Sequence, residues 1–156
     1  MMRALWRASI WHPDAIPPIE EKYASPLKRV LFPVYDLVVI WLAWAGLGAG
    51  FRALALTFPS PGPSVLYGAL MAAGLVCFIG AAFPRLWVAE IVGKLAILAL
   101  LGILMAAMYV AAAEIPGHTG ANVAPMIAGM MLPPLLRLWI LGVEWAGRSE
   151  GAAWTG

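Results

Sequence analysis

Four long apolar segments recur along this chain, and they constrain its fold more than any other feature. An α-helix needs about 20 apolar residues to cross a bilayer core that is about 30 Å thick. Segments of that kind run from about residue 33 to 58, 64 to 83, 86 to 113 and 122 to 146. The sequence therefore predicts an all-α fold, in which four transmembrane helices form an integral membrane bundle.

The composition supports the same class and excludes others. Of the 156 residues, 63% are hydrophobic and 12% are charged, whereas a soluble domain is about 45–50% apolar and about 25% charged. A globule of this size cannot hide that much apolar surface. The net charge is +2, and no basic run is interleaved with aromatic residues, which argues against nucleic acid as a partner. The expected partner is the lipid bilayer.

Three regions divide the chain: a cytoplasmic leader at 1–32, the membrane domain at 33–146 and a short cytoplasmic tail at 147–156. The leader begins MMRALWRASIW, where Arg3 and Arg7 lie one helical turn apart among tryptophans. This segment predicts either a short amphipathic helix at the membrane interface or an unstructured basic leader. It lacks an apolar run of seven residues, so no cleavable signal peptide is expected. The stretch HPDAIPPIEEKYASP that follows is rich in proline and predicts an extended linker.

Lysine and arginine residues indicate the orientation of the spans. Arg85 lies between the second and third spans, Arg148 follows the fourth, and five basic residues precede the first: Arg3, Arg7, Lys22, Lys28 and Arg29. The connections FPSPGPS and EIPGHTGAN contain no lysine or arginine. Cytoplasmic loops carry an excess of these residues, so both termini are predicted on the cytoplasmic side of the inner membrane. Arg52, near the outer end of the first span, departs from this pattern and can snorkel outward.

Ionisable residues inside the spans form a predicted polar cluster: Asp36, Glu90, Lys94, Arg137 and Glu144. Glu90 precedes Lys94 by four residues, the favourable order for an intrahelical pair. Arg137 and Glu144 lie seven residues apart and share a face. A charge at the bilayer centre costs on the order of 3 kcal/mol, so such groups face protein or water. The cluster is therefore either a structural network that locks the helices together or a water-filled pathway.

Two further features of the spans bear on helix packing. Pro133 and Pro134 lie inside the fourth span, where they should kink or break the helix, either as a hinge or as a static kink. The carbonyl groups freed near Met130 would then need new donors, which Arg137 could supply only if the chain bends back. The second span carries small residues four positions apart, a pattern that favours close helix packing within the bundle or against another subunit: Gly68, Ala72, Ala73 and Cys77.

No catalytic or metal-binding motif is present in the sequence. The two histidines, His12 and His118, fall on opposite sides of the membrane in the predicted topology, so they cannot share a metal ion. There is no glycine-rich phosphate loop, no CxxC pair and no HExxH motif. The single cysteine, Cys77, excludes an intramolecular disulfide. The sequence predicts neither an enzyme nor a protein with a cofactor or metal site.

Three features together resemble a known class of membrane protein: the leader, the linker ending EEKYASPLKRVLFPVYD and the four closely spaced spans. This architecture resembles the small multi-pass membrane proteins of bacteriophages of high-GC Gram-positive hosts, several of which are regarded as holins. The resemblance implies accumulation in the cytoplasmic membrane, oligomerisation and a timed lesion that releases an endolysin. The tail GRSEGAAWTG carries fewer charges than the tails that are common in holins.

Three hypotheses for function follow. The first is a self-associating, holin-like protein that forms a membrane lesion or pore. The second is a structural or accessory subunit of a larger membrane complex. The third is a small channel or transporter with a polar path at Arg137. The first predicts a homo-oligomer, and the second predicts a complex with another membrane protein.

Overall fold

The computed structural model describes residues 9–12, 26–49, 52–114 and 120–153, and its regular elements in those ranges are all helical. A π-helical turn, Leu27–Leu31, leads into α1, and a 3₁₀ turn, Pro84–Leu86, joins α3 to α4. The α-helices are α1 (Phe32–Ala49), α2 (Arg52–Thr57), α3 (Gly62–Ala82), α4 (Trp87–Glu114), α5 (Gly120–Met130) and α6 (Leu132–Ala153).

Four helical segments are long and apolar enough to cross a membrane: Leu27–Gly48, Gly62–Ala82, Trp87–Glu114 and Val123–Val143. The predicted all-α bundle with four membrane-spanning segments is therefore confirmed. Large apolar side chains cover its outer surface; Trp41, Trp44 and Trp139 are 64%, 66% and 69% exposed. Exposed apolar side chains grouped in this way suit contact with lipid.

Helix α4 lies at the centre of the bundle. It packs against α2, α3, α5 and α6, while α1 packs chiefly against α3 and also contacts α6. The buried positions of α4 recur every three or four residues, as at Gly93, Ile97, Leu101 and Leu104, so one face of the helix forms the core.

The short connection between the second and third spans produces an antiparallel hairpin of α3 and α4. Phe83 adopts an extended conformation ahead of Pro84, as expected for a residue that precedes proline, and this ends α3. Glycine then allows the two helices to approach closely. A Cβ atom added at Gly80 would lie 2.9 Å from the backbone nitrogen of Glu90, and one at Gly93 would lie 2.5 Å from Cys77 Sγ.

Helices α1 and α2 together cover most of the first predicted span, residues 33–58. Helix α1 reaches Ala49 and α2 begins at Arg52; residues 50 and 51, between them, lie outside the described part.

The last helix extends beyond the fourth predicted span, which ends at about residue 146. Helix α6 continues to Ala153, so most of the predicted tail at 147–156 belongs to the helix. The polar sequence GRSEGAA does not contain a proline that would stop it.

Of the leader, the structure describes residues 9–12, where the chain turns, and residues 26–32, which lead into α1; residues 1–8 and 13–25 lie outside the described part, as does His118. The Ile10 amide donates a hydrogen bond to the Ala82 carbonyl at 2.9 Å, and the Ile10 side chain is buried. The Trp11 indole donates to the Arg29 carbonyl, and the Arg29 guanidinium donates to the His12 carbonyl. This part of the leader is therefore attached to the end of the bundle where α3 ends.

Candidate functional site

One face of α1 contributes three buried side chains to the interior of the bundle. Phe32, Tyr35 and Asp36 are at most 8% exposed. Their spacing of three and four residues places them side by side on the helix surface. Asp36 is thus buried in the core near the start of the first span, on the same side of α1 as two aromatic residues.

Asp36 forms an ion pair with Lys94 on α4. The Lys94 ammonium donates a hydrogen bond to Asp36 Oδ1, and both side chains are fully buried. The ammonium also lies 5.2 Å from the centroid of the Tyr35 ring, within the range of a cation–π interaction. This pair joins the first span to the third.

Glu90 forms the second ion pair, with Arg137 on α6. Arg137 Nε donates to Glu90 Oε1 at 2.6 Å, and Arg137 Nη2 donates to Oε2 at 2.9 Å. Two parallel bonds of this kind make a bidentate pair, which is stronger and more directional than a single contact. The guanidinium also lies 5.1 Å from the Phe32 ring centroid. This pair joins the third span to the fourth.

The pairing differs from the one that sequence spacing favours. Glu90 and Lys94 lie four apart on α4, but the hydrogen bonds of each go to a neighbouring helix, to Arg137 and to Asp36. Interhelical pairing matches two acids with two bases. Glu144 lies in α6, and its side chain falls outside the described part, so its membership of the cluster stays a prediction.

The four paired groups form one electrically neutral cluster. Two of its buried atoms have no hydrogen-bond partner among the described residues, and they belong to different pairs: Asp36 Oδ2 and Arg137 Nη1. Because Glu90 and Lys94 lie one turn apart on α4, the two ion pairs are neighbours, close enough for their charges to influence each other. Buried ions need such compensation, since leaving water costs several kcal/mol per ion.

The tandem prolines break the fourth span next to this cluster. Helix α5 ends at Met130 and α6 begins at Leu132, so Met131 separates two helices within the fourth span. The Met131 amide bonds to the Ala128 carbonyl, three residues back, at 3.1 Å. In a continuous helix the amide of residue 134 would donate to the Met130 carbonyl, but Pro134 has no N–H.

Tyr35 supplies the missing donor. Its hydroxyl donates a hydrogen bond to the Met130 carbonyl at 2.7 Å. The sequence indicated that a carbonyl near Met130 would need a new partner, but it did not identify Tyr35. One feature of the sequence could have pointed to Tyr35: it adjoins Asp36 and follows Phe32 by three residues, on a helix face that carries an ionisable group.

The four predicted small packing residues of α3 do not share one face. Ala73 and Cys77 are buried in the core, whereas Gly68 is half-buried, with open space where a side chain would project, and Ala72 is exposed. Five residues correspond to about 500°, so the pair that begins at 68 is rotated by about 140° from the pair that begins at 73. A Cβ atom added at Gly46, Gly80 or Gly93 would lie 2.4–2.9 Å from an atom of a neighbouring helix, and the sequence pattern singled out none of these glycines.

No protein-family model, no curated protein and no solved structure matches this chain. Its function must therefore be inferred from the chemistry of its own residues. Within the described residues, no group of three or more histidine, cysteine, aspartate or glutamate side chains is placed to hold a metal ion. What the site provides is two acids and two bases that hold three spans together inside an apolar bundle.

Proposed function

We propose that this chain is a self-associating protein of the cytoplasmic membrane, with both termini in the cytoplasm, and that it forms a holin-like membrane lesion. The observation that carries the proposal is the position of the four charges. They lie inside the bundle, and the two ion pairs connect three different spans, Asp36 to Lys94 and Glu90 to Arg137. The outer faces of those spans carry large apolar side chains.

A pore requires a polar surface toward water and an apolar surface toward lipid, and this arrangement supplies both. In the closed bundle the charges neutralise each other and are shielded from lipid. If α4 separates from α1 or α6, the exposed charges must be hydrated, because a charge in the hydrocarbon core costs on the order of 3 kcal/mol. Several copies with these faces turned inward would enclose water. Their tryptophan-bearing faces would remain toward lipid.

Inducible expression in a bacterium tests this function. The native chain should cause an abrupt loss of membrane potential and viability after it accumulates, and co-expression of an endolysin should then produce lysis. Normal growth and potential, with the protein verified in the membrane, would count against a lesion former.

A pair of matched double variants links this effect to the cluster. Glu90→Gln with Arg137→Gln removes one buried acid and one buried base and leaves no unpaired charge. Arg85→Gln with Glu114→Gln removes one acid and one base from exposed positions. We expect the first variant to accumulate without depolarising the membrane and the second to behave as the native chain does. Equal depolarisation by both would show that the cluster is not part of the lesion.

A second candidate is a structural subunit of a larger membrane complex. The one-to-one pairing of acids with bases favours it, because the bundle then needs no external charge for stability. This alternative predicts that the tagged chain purifies with a fixed membrane-protein partner in defined stoichiometry and leaves the membrane potential unchanged. A channel with a polar path at Arg137 predicts instead a flux of small ions that Arg137→Leu abolishes, without release of an endolysin.

A further inference from the structure

We infer that residues 132–143 of α6 form a half-helix that swings about Met131, and that the Tyr35 hydroxyl is the latch for its closed position. The hinge itself is inferred from the contacts around the proline break. Its role, which is to expose the charged cluster, rests on the proposed function.

The hinge is defined by missing backbone donors. Pro133 and Pro134 cannot donate hydrogen bonds to the carbonyls four residues earlier. At the break, the Met131 amide donates to the Ala128 carbonyl, three residues earlier. Regular helical hydrogen bonding resumes at Leu135, whose amide donates to the Met131 carbonyl at 3.2 Å. Because the backbone ladder that would make α5 and α6 one rigid rod is interrupted here, bending at this point breaks few bonds.

The half-helix touches the bundle along a narrow line. Pro134, Arg137 and Leu141 are buried, at spacings of three and four residues, whereas Trp139 and Val143 are 69% and 58% exposed. Only 22% of the fourth span is buried, compared with 33–44% of the others. This span is therefore the one that is held least by apolar packing.

Two polar contacts hold the closed position. At the hinge, Tyr35 donates to the Met130 carbonyl. Further along the half-helix, Arg137 is paired with Glu90. Because the Tyr35 ring also lies against the Lys94 ammonium, release of the tyrosine from the break would disturb the other ion pair as well. The latch thus couples the hinge to both halves of the charged cluster.

Distances between paired spin labels on the purified full chain in liposomes test the inference. One label at Val143 on the half-helix and one at Val88 on α4 report its position; both side chains are exposed. A second pair, Val65 and Val110, reports the α3–α4 hairpin. Cys77→Ala supplies a background free of other thiols.

The variant Tyr35→Phe removes the hydroxyl and keeps the ring. It should add a second, longer distance between the labels at 88 and 143 and leave the hairpin distance unchanged. Tyr109→Phe, at an exposed tyrosine of α4, is the matched control and should give the native distribution. Adding Pro133→Ala and Pro134→Ala to Tyr35→Phe should restore a single distance, because backbone donors return. An unchanged distribution in Tyr35→Phe, or broadening of the hairpin distance as well, would overturn the latch.

This experiment separates the inference from the proposed function. If Tyr35→Phe shows a second distance but the native chain does not depolarise cells, the hinge is supported and the proposed lesion is contradicted. If Tyr35→Phe keeps the native distances but the native chain does depolarise cells, the hinge is contradicted and the proposed lesion stands.

Discussion

Arg137 of α6 donates two hydrogen bonds to the carboxylate of Glu90 on α4, with nitrogen–oxygen distances of 2.6 and 2.9 Å. The two residues are 47 positions apart in the chain, and both are almost completely buried. The pair therefore fixes the rotation of the fourth span relative to the third. It also explains how an arginine is accommodated in a segment that is otherwise apolar.

Removing one member of this pair should destabilise the bundle more than removing both. Arg137→Gln leaves the Glu90 carboxylate buried without its partner, and the expected loss is about 3–5 kcal/mol in the free energy of unfolding. Adding Glu90→Gln should recover most of that loss. Arg137→Lys should be intermediate, because lysine cannot make the bidentate contact. Unfolding in mixed detergent micelles measures all three, and equal losses for the single and double variants would contradict the buried pair.

The two ion pairs should be energetically coupled. Glu90 and Lys94 lie one turn apart on α4, so the two pairs are neighbours, and each contains a buried polar atom without a hydrogen-bond partner among the described residues, Asp36 Oδ2 and Arg137 Nη1. A double-mutant cycle of Asp36→Asn and Arg137→Gln should therefore deviate from additivity by about 0.5–3 kcal/mol. A cycle that combines Asp36→Asn with Gly102→Ala serves as the control, because Gly102 has open space at its side-chain position. Additivity in both cycles would mean that the pairs act independently.

Close packing of the α3–α4 hairpin should make Gly80 sensitive to a single methyl group. In Gly80→Ala the new Cβ would lie 2.9 Å from the Glu90 backbone, so the helices must separate, at an expected cost of about 1–3 kcal/mol. Gly68→Ala, on the same helix, meets open space. It should be neutral or stabilising by up to about 1 kcal/mol through helix propensity. The thermal stability of the two variants in the same detergent compares them directly, and equal melting temperatures would contradict the packing.

Reporter fusions should place both termini on the cytoplasmic side. Green fluorescent protein fused at either end should fluoresce, whereas alkaline phosphatase at the same positions should be inactive. Insertion of the phosphatase at Ser60, in the connection after α2, should give an active enzyme, because that loop faces outward in the proposed topology. Ends found on opposite faces would mean an odd number of crossings, so the assigned depth of the charged cluster and the basis of the proposed lesion would be lost.

Much of the architecture could be predicted from local properties of the sequence. Apolar length predicts the number of spans, and the lack of an N–H on proline predicts an interruption at Pro133 and Pro134. The solvation cost of a charge predicts that Asp36, Lys94 and Arg137 point away from lipid. Each of these statements depends on a residue and its immediate neighbours in the chain.

The tertiary structure alone decided which groups meet. Glu90 pairs with Arg137 instead of Lys94, and the hydroxyl that satisfies the Met130 carbonyl comes from Tyr35, 95 residues earlier in the chain. Such pairings depend on how each helix is rotated about its axis and on which helices lie side by side. That rotation is set by close contacts such as the one at Gly80, where a few tenths of an ångström matter. Hydropathy determines that a helix enters the membrane, but it is nearly uniform around α1, α3 and α4 and cannot determine which face of these helices turns inward.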